Sequence, residues 1–265
     1  MLQAGSLRLD GGGMFGVVPK AVWSRLTEPD EQNRIPLQAN CLLLQSQDRT
    51  VLVETGCGDK WSDKARARFS IERRTVVDAL AERGVDPGDV TDVVLTHLHF
   101  DHAGGLTRLQ DDRAVPVFGS ARVHVQGREW EDALANRSTM TGTYLRNHLD
   151  PIADRVRLLD EGVAILPGIE SIPMPGHTWG QQAVLVRTQA GTVCFPGDVM
   201  PTRHHLGAAY SMGYDMLPYQ NMCSKRTLLE RAEEERWTLV LDHEPGHASF
   251  TVRKDGDWFQ LDECR

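Results

Sequence analysis

The chain has 265 residues, 40% of them hydrophobic, and carries 29 basic against 37 acidic side chains, a net charge of −8. A chain of this length buries enough apolar surface for one large domain and needs no disulfide bonds to fold. The acidic balance argues against electrostatic capture of nucleic acid or of an anionic membrane, because the average field repels phosphate groups.

The cysteines and the N-terminus indicate the cellular compartment. The five cysteines are odd in number and include no Cys-x-x-Cys pair, which predicts reduced, mostly buried thiols of an intracellular protein. Residues 1–6 have no basic segment followed by an apolar run, so no signal peptide is expected. Apolar stretches such as residues 41–44 fall far short of the ~20 residues that span a bilayer. We therefore expect a cytoplasmic protein.

Short β-branched runs recur along the chain and predict strands. Residues 42–44 and 50–54 predict a hairpin with largely buried strands. Residues 250–252 and 258–260 flank Asp255-Gly256, a strong signal for a second hairpin. The other predicted strands are residues 92–96, 122–126, 183–187, 192–195 and 238–242.

Helical patterns occur between these strands. Residues 75–83 predict a helix in which Thr75 and Asp78 have the spacing of a capping box and Gly84 ends the helix. A second helix is predicted over about residues 224–236. The alternation of strands and helices predicts an α/β fold, with sheets in the middle and helices outside. We predict a single domain over residues 1–265.

Two segments depart from this alternation. Residues 127–151 are predicted to be a helical insertion, and residues 1–34 a loop or flap region. Residues 11–16 match Gly-x-Gly-x-x-Gly, but Pro19 interrupts the sequel and no βαβ pattern surrounds the motif, which argues against a nucleotide site. The glycines then indicate a flexible loop or a glycine-jointed apolar flap near a pocket.

A histidine cluster carries the main chemical signal. His97, His99, Asp101 and His102 lie within six residues, directly after the predicted strand 92–96. In an extended or turning backbone His97 and His99 project to the same side. Asp101 and His102 come round the turn at the end of the strand. Converging neutral imidazoles are the ligands that a metal ion such as zinc prefers.

Three further candidate ligands follow predicted strands or turns. His177 lies in a Pro-Gly turn, Asp198 follows the strand 192–195, and His243 follows the strand 238–242. Strand ends are where α/β folds gather their sites. Each residue is a weak signal alone, and the order of all seven is the informative feature.

This order of residues resembles the metallo-β-lactamase-fold hydrolases over roughly residues 35–250. The resemblance implies an αβ/βα four-layer sandwich, in which two facing mixed sheets carry helices outside and a dinuclear metal site lies at one edge. It also implies a ligand assignment: His97, His99 and His177 to the first metal, Asp101, His102 and His243 to the second, and Asp198 to both.

Within that superfamily, residues 10–20 look like the N-terminal stretch of the acyl-homoserine-lactone lactonase-like branch. The stretch also resembles the related organophosphate hydrolase branch. Class B β-lactamases are a poorer match, because they are secreted and commonly have a cysteine where this chain has Asp198.

The resemblance implies a hydrolase in which a metal-bridging hydroxide attacks an ester or lactone carbonyl, as in lactonases and carboxylesterases. Asp101 would orient the hydroxide and pass its proton to the leaving alkoxide. Two divalent ions are implied, with Zn²⁺ preferred and Mn²⁺, Fe²⁺ or Co²⁺ compatible with the same ligands. The expected partner is a small-molecule substrate, not nucleic acid or membrane, and a homodimer is compatible with the sequence.

Two alternatives remain open at this point. The same metal pair can clamp a phosphoryl group, which makes phosphotriester or phosphodiester hydrolysis the second enzymatic hypothesis. A metal- or redox-sensing binding protein, such as the diiron partner of a flavodoxin domain, would normally carry a carboxylate where this chain has His99. That difference counts against the binding-protein hypothesis.

Other polar side chains have no assigned role. Any of Tyr210, Tyr214 and Tyr219 is equally compatible with contacting a substrate carbonyl and with covering the core. Among the remaining histidines we predict a structural role for His124 and a place near the pocket for two others. The histidines without a ligand assignment are His124, His148, His204, His205 and His247, of which the last two are the candidates near the pocket.

Overall fold

Strands and short helices alternate along residues 1–264, the part of the chain that the computed structural model describes. The strands are β1 Leu2–Asp10, β2 Arg34–Gln45, β3 Thr50–Val53, β4 Asp92–Val94, β5 Thr107–Gln110, β6 Arg113–Pro116, β7 Arg122–Gln126, β8 Val156–Leu159, β9 Ala164–Leu166, β10 Ile169–Pro173, β11 Gln182–Thr188, β12 Gly191–Phe195, β13 Thr238–Val240, β14 Ser249–Asp255 and β15 Trp258–Glu263. The α-helices are α1 Gly11–Phe15, α2 Lys20–Trp23, α3 Asp63–Phe69, α4 Val76–Ala81, α5 Phe100–Ala103, α6 Gly127–Leu134, α7 Arg146–Leu149 and α8 Pro218–Glu234.

The strands form two large mixed sheets and one hairpin. The first sheet has the order β1-β2-β3-β4-β7-β8, and the second has the order β15-β14-β13-β12-β11-β10-β9. In the first sheet β3, β4, β7 and β8 are parallel neighbours. In the second sheet β12 and β13 are parallel, whereas their other neighbours are antiparallel. The prediction of an α/β fold with mixed sheets is confirmed.

The chain contacts group into two compact units, each with its own core. The first unit comprises Met1–Leu7 and Gln38–Asp160, and its core includes Leu52 and Val93 from the middle of the first sheet. The second unit comprises Arg8–Leu37 and the chain from Glu161 onward, and its core is centred on Trp237 and neighbouring strands of the second sheet. The single-domain prediction over residues 1–265 stays a prediction.

The predicted strands are present, with ends that move by a few residues. The hairpin at residues 42–54 pairs Leu42 with Val53 and Gln45 with Thr50. The second hairpin pairs Asp255 with Trp258 and turns through Gly256 at a φ of 60°. A glycine is favoured there because a side chain disfavours positive φ.

The two predicted helices are also present, but the second is longer than predicted. Helix α4 has the capping box formed by Thr75 and Asp78. Helix α8 begins at Pro218, six residues before the predicted start near 224. Proline is favoured in the first turn, where its missing N–H has no partner to lose. Polar residues occupy the buried face in the first part of α8, so the sequence shows no apolar period there. The buried residues of α8 are Asn221, Ser224, Lys225, Leu228, Leu229 and Ala232.

The segment predicted as a helical insertion is only partly helical. Residues 127–151 contain α6 and α7, while residues 135–145 between them form turns and irregular structure. Asn136, at the end of α6, has a φ of 49°, a left-handed conformation that ends helices.

The prediction of a loop or flap over residues 1–34 is wrong in its first half. Residues Leu2–Asp10 form strand β1, in which Leu2 and Ala4 are buried and Gln3 is exposed. Gly5 has a φ of 107° and interrupts this alternation before Leu7 returns to the core, which hides the period of the strand in the sequence.

The glycine motif at residues 11–16 forms a short helix, so the flexible-loop prediction is wrong. Asp10 caps α1 by accepting a hydrogen bond from Gly13 N at 2.8 Å. Phe15 is fully buried and stacks on Trp23 at 5.4 Å and on His205 at 4.9 Å between ring centroids. Buried aromatic contacts of this kind fix the segment.

The cysteines are free thiols, and Cys41, Cys57 and Cys194 are buried. Burial raises the pKa of Cys57 and of Cys194, so these thiols are protonated and unreactive. Over residues 1–264, no helix combines the length and the apolar character that crossing a membrane requires.

We predict that Gly16→Ala lowers the free energy of unfolding by more than ~2 kcal/mol, and that Gly142→Ala changes it by under ~0.5 kcal/mol. Gly16 has φ 53° and ψ −114°, and an added Cβ would overlap the carbonyl oxygen of Ser211. Gly142 has open space around it. Equilibrium urea unfolding of both variants measures the difference, and equal losses would contradict this account of α1.

Candidate metal-binding clusters

The first unit brings together the four candidate ligands that follow β4, which we call the first cluster: His97, His99, Asp101 and His102. All four side chains are buried. The ring centroids of His97 and His99 are 4.5 Å apart, and those of His97 and His102 are 3.9 Å apart. The Nε2 atom of His102 lies 3.8 Å from an Asp101 oxygen. The structure therefore places together the residues that the sequence grouped.

The backbone explains how four side chains converge after one strand. His99 is extended at the N-cap of α5, and the helix then turns Asp101 and His102 toward the same region. Gly104 and Gly105 follow this helix. An added Cβ would overlap the carbonyl oxygen of Cys57 at Gly104 and that of Thr55 at Gly105. Glycine is needed because the backbone passes too close for a side chain.

Buried acceptors orient the imidazoles of the first cluster. Glu54 Oε2 lies 3.3 Å from His102 Nδ1, while Glu54 Oε1 accepts a hydrogen bond from Thr96 N at 2.7 Å. Thr96 Oγ1 lies 3.0 Å from His97 Nδ1. The Glu54 carboxylate only accepts, so it favours a neutral His102 with its proton on Nδ1 and Nε2 available to a metal, whereas the Thr96 hydroxyl can donate or accept and orients the His97 ring. In the sequence, Glu54 is recognisable only as the end of the predicted strand 50–54.

The segment 127–151 also supports the first cluster. Glu129 is fully buried and accepts hydrogen bonds from Leu98 N at 2.9 Å and from the Tyr144 hydroxyl at 3.0 Å. The Tyr144 ring lies 5.0 Å from that of His99. Burial, with the nearby Glu129 charge, raises the pKa of Tyr144, so its hydroxyl stays a donor. The hydrogen bond from Leu98 N to Glu129 thereby fixes the backbone between His97 and His99.

The second unit brings together the other three candidates, which we call the second cluster: His177, Asp198 and His243. One oxygen of Asp198 lies 3.1 Å from His177 Nε2, and its other oxygen lies 3.3 Å from His243 Nε2. Asp242 also offers a ligand atom within 4.8 Å of Asp198 and His243. The carboxylate of Asp198 is thus shared between two imidazoles.

The His177 turn is fixed by a residue that the sequence analysis missed. Asp215 Oδ1 lies 2.8 Å from His177 Nδ1, and Asp215 is buried. Gly176 has a φ of 152°, and an added Cβ would overlap Asn221. Asp215 lies 38 residues from its partner, in a stretch that resembled a loop.

The three tyrosines for which the sequence left two roles open, Tyr210, Tyr214 and Tyr219, have different surroundings. Tyr219 is 76% exposed on α8, which argues against a role in covering the core. Tyr210 makes an edge contact with the Phe15 ring at 6.1 Å, and Tyr214 lies against Gly13. Both therefore pack on α1.

Three of the remaining histidines, His124, His205 and His247, have side-chain or backbone partners for their rings. His124 bonds to Asp92 at 2.8 Å, as its predicted structural role requires. His205 is buried, with Nδ1 at 2.8 Å from Thr202 Oγ1 and Nε2 at 2.8 Å from Met14 O. His247 is exposed, with Nε2 at 2.8 Å from Ser249 O. His148 is buried, and burial lowers its pKa to about 3.

The donor atoms of both clusters suit a divalent metal ion. Imidazole nitrogens and carboxylate oxygens are the ligands that zinc, manganese, iron and cobalt ions take in proteins. Their burial makes a positive ion favourable, because it compensates carboxylate charge that has lost its water. The residues present therefore fit metal ions.

Comparison with known proteins gives one family and several relatives. The model of the metallo-beta-lactamase superfamily matches residues 34–243. An N-acyl homoserine lactonase of Bacillus thuringiensis is 26% identical over 218 residues, which cover 77% of this chain and 80% of the relative.

Two solved structures resemble the chain over almost all of its length. A probable metal-dependent hydrolase from Staphylococcus aureus has a TM-score of 0.88 at 28% identity, with 100% of this chain and 96% of that chain covered. AidC, a dizinc quorum-quenching lactonase in complex with a product, has a TM-score of 0.82 at 17% identity, with 99% and 92% covered. At 17% identity the second likeness shows the fold alone.

We predict that His205 makes the protein less stable in acid. Burial, reinforced by the Lys225 charge, lowers the pKa of His205 to about 3 from an ordinary 6.5. Below pH 6.5 the unfolded chain binds a proton that the folded chain does not, so stability falls as the pH falls from 6.5 toward 3. By pH 5 this loss is about 2 kcal/mol.

The test compares urea unfolding at pH 7 and pH 5 for the parent, His205→Gln and His247→Gln. The drop in unfolding free energy should be about 2 kcal/mol smaller in His205→Gln than in the parent. The exposed His247 is the matched control, and its variant should show the parent's drop. Equal drops in all three proteins would contradict the assignment.

Proposed function

The chain belongs to the metallo-beta-lactamase superfamily, has its fold and is a metal-dependent hydrolase, and we propose that it hydrolyses lactones or carboxylic esters at a centre of two divalent ions. The N-acyl homoserine lactonases among its relatives, at 26% identity, support lactones as the first substrate class to examine. Phosphotriester or phosphodiester hydrolysis is the alternative, since the same pair of ions could clamp a phosphoryl group; the lactonase relatives favour lactones over it.

The observation that carries the proposal is the position of Asp198. Its two carboxylate oxygens face two different imidazoles, those of His177 and His243. His177 Nε2 lies 3.1 Å from one Asp198 oxygen and its Nδ1 lies 2.8 Å from Asp215 Oδ1, so a neutral ring that donates Nδ1–H to Asp215 leaves two acceptors, Nε2 and the Asp198 oxygen, facing each other. Two acceptors at this distance favour a cation between them. A carboxylate that serves two such imidazoles is suited to bridge two ions.

We assign the ligands in the chain order of the family pattern. This assignment extends the second cluster by the histidines and the aspartate of the first cluster, whose side chains are buried and oriented. The proposed ligands are His97, His99 and His177 for one ion, Asp101, His102 and His243 for the other, and Asp198 for both. The single-domain prediction over residues 1–265 belongs with this proposal.

The chain's own groups would then handle the proton and the substrate. When bound, the two ions would polarise the scissile carbonyl and lower the pKa of water toward neutrality. Asp101 lies in the first turn of α5, beside His102. Its carboxylate is proposed to accept the proton of the attacking water and to deliver it to the leaving alkoxide. Zn²⁺ is the preferred ion, with Mn²⁺, Fe²⁺ and Co²⁺ compatible.

We predict that the purified protein binds about two divalent ions per chain and hydrolyses lactones or aryl esters. Removal of the metal by a chelator should abolish turnover, and added Zn²⁺, Mn²⁺ or Co²⁺ should restore it. Asp101→Ala and His102→Ala should each lower kcat/KM by ~10²-fold or more and reduce metal content. Elemental analysis and a screen of lactones, aryl esters and phosphotriesters measure these quantities.

Asp154→Ala is the matched control for Asp101→Ala. Asp154 belongs to the same unit, and its side chain is 78% exposed. This variant should keep the metal content and the rates of the parent. Unchanged metal content and rates in Asp101→Ala and His102→Ala would contradict the assignment. Turnover of phosphotriesters alone would contradict the proposed substrate class.

A further inference from the structure

Asp215 is a buried carboxylate that contacts a candidate ligand, its own loop and helix α8. Its Oδ1 faces His177 Nδ1 at 2.8 Å. Its Oδ2 accepts hydrogen bonds from Met212 N at 3.1 Å and from Asn221 Nδ2 at 2.7 Å. Two donors on one oxygen hold the carboxylate in a single orientation, so its other oxygen is aimed at the imidazole.

The Asp215 carboxylate selects between the two tautomers of a neutral His177 ring. An ionised carboxylate is an acceptor only, so the neutral ring must carry its proton on Nδ1 and donate it to Asp215. The lone pair is then on Nε2, the nitrogen that faces Asp198 at 3.1 Å. This is the tautomer that a ligand through Nε2 requires.

The surrounding backbone makes the pair rigid. Met216 N donates to His177 O at 3.1 Å, and Leu217 N donates to Gly176 O at 2.8 Å. The segment that carries Asp215 is thereby joined to the turn that carries His177 by backbone bonds as well as by the side chain. The buried Lys225 supplies a positive charge that interacts with Asp215.

We propose that Asp215 is a positioning residue that selects the Nδ1–H tautomer of His177 and sets the affinity of the centre for its metal. The inference rests on the proposed function, because it requires His177 to be a metal ligand. Asp215 acts through His177 and has no contact with substrate in this assignment. The sequence analysis gave it no role.

Asp215→Asn is the most informative variant, because it keeps the shape and one acceptor. The amide oxygen can still accept from Met212 N and Asn221, which leaves the amide NH₂ facing His177 Nδ1. An NH₂ donor would select the opposite tautomer and place the proton on Nε2. Replacement of the acceptor by an amide is known to leave geometry intact while it selects the wrong imidazole tautomer.

Asp92→Asn is the matched control. Asp92 is also buried and pairs with His124 at 2.8 Å, but His124 is not a proposed ligand. Both variants remove the charge of a buried aspartate that pairs with a histidine. Only one of them would alter a metal ligand, so a general loss of stability affects both and a positioning effect affects one.

The experiment measures Zn²⁺ affinity by competition with a chromophoric chelator, and the visible spectrum of the Co²⁺-substituted protein. Asp215→Asn should weaken Zn²⁺ binding by ~10- to 100-fold and change the Co²⁺ spectrum. Asp92→Asn should leave both at the values of the parent. Parent values for Asp215→Asn, or equal losses in both variants, would overturn the inference.

A second measurement needs no variant and remains decisive if Asp215→Asn does not fold. The ¹⁵N shifts of His177 in the metal-free parent, assigned with His177→Gln, report which ring nitrogen carries the proton. The shifts are read at a pH high enough for the ring to carry a single proton. A proton on Nδ1 there supports the inference, and a proton on Nε2 overturns it.

The outcomes separate this inference from the proposed function. A parent that binds metal but hydrolyses none of the substrates would contradict the proposed function, while the affinity comparison would still decide the role of Asp215. A parent that hydrolyses lactones, together with an Asp215→Asn variant of unchanged affinity, would overturn only the inference. A parent that binds no metal would overturn both.

Discussion

The burial of imidazoles imposes the main constraint on this molecule. An imidazole without water needs a partner on its ring nitrogens, and that partner decides which nitrogen keeps a lone pair. The chain meets this need with short buried contacts: Glu54 for His102, Thr96 for His97, and Asp215 for His177. The strands and turns around these residues bring each partner within about 3.3 Å of its imidazole.

The candidate ligands of the first cluster could be predicted from sequence because their signal is local. His97, His99, Asp101 and His102 lie within six residues and follow a strand whose buried character is plain in its composition. The partners could not be predicted in the same way. Glu129 lies 31 residues from Leu98, and Asp215 lies 38 residues from His177. An isolated carboxylate has the same sequence signature whether it is exposed or buried beside a histidine, so only the fold identifies it.

The errors in the fold have a similar origin. Strand β1 was hidden by Gly5, which shifts the alternation of buried side chains in the middle of the strand. The start of α8 was hidden because Asn221 and Lys225 are polar residues on a buried face, where an apolar stripe is expected. In both cases the residue that breaks the pattern meets a local structural requirement that the periodicity of the sequence does not show. Lys225, for example, donates to Tyr210 O at 2.8 Å.

The contacts of the segment 212–217 also restrict how this protein can evolve. Loops around an active site normally vary first when an enzyme acquires a new substrate, since they carry specificity and not stability. Here Asp215 and the backbone of Met216 and Leu217 are bonded to the His177 turn, so insertions among them would disturb that turn. Neutral variation is left to positions beside these anchors, such as the exposed Tyr219. Substitutions that change substrate preference among related proteins should therefore occur outside residues 212–217.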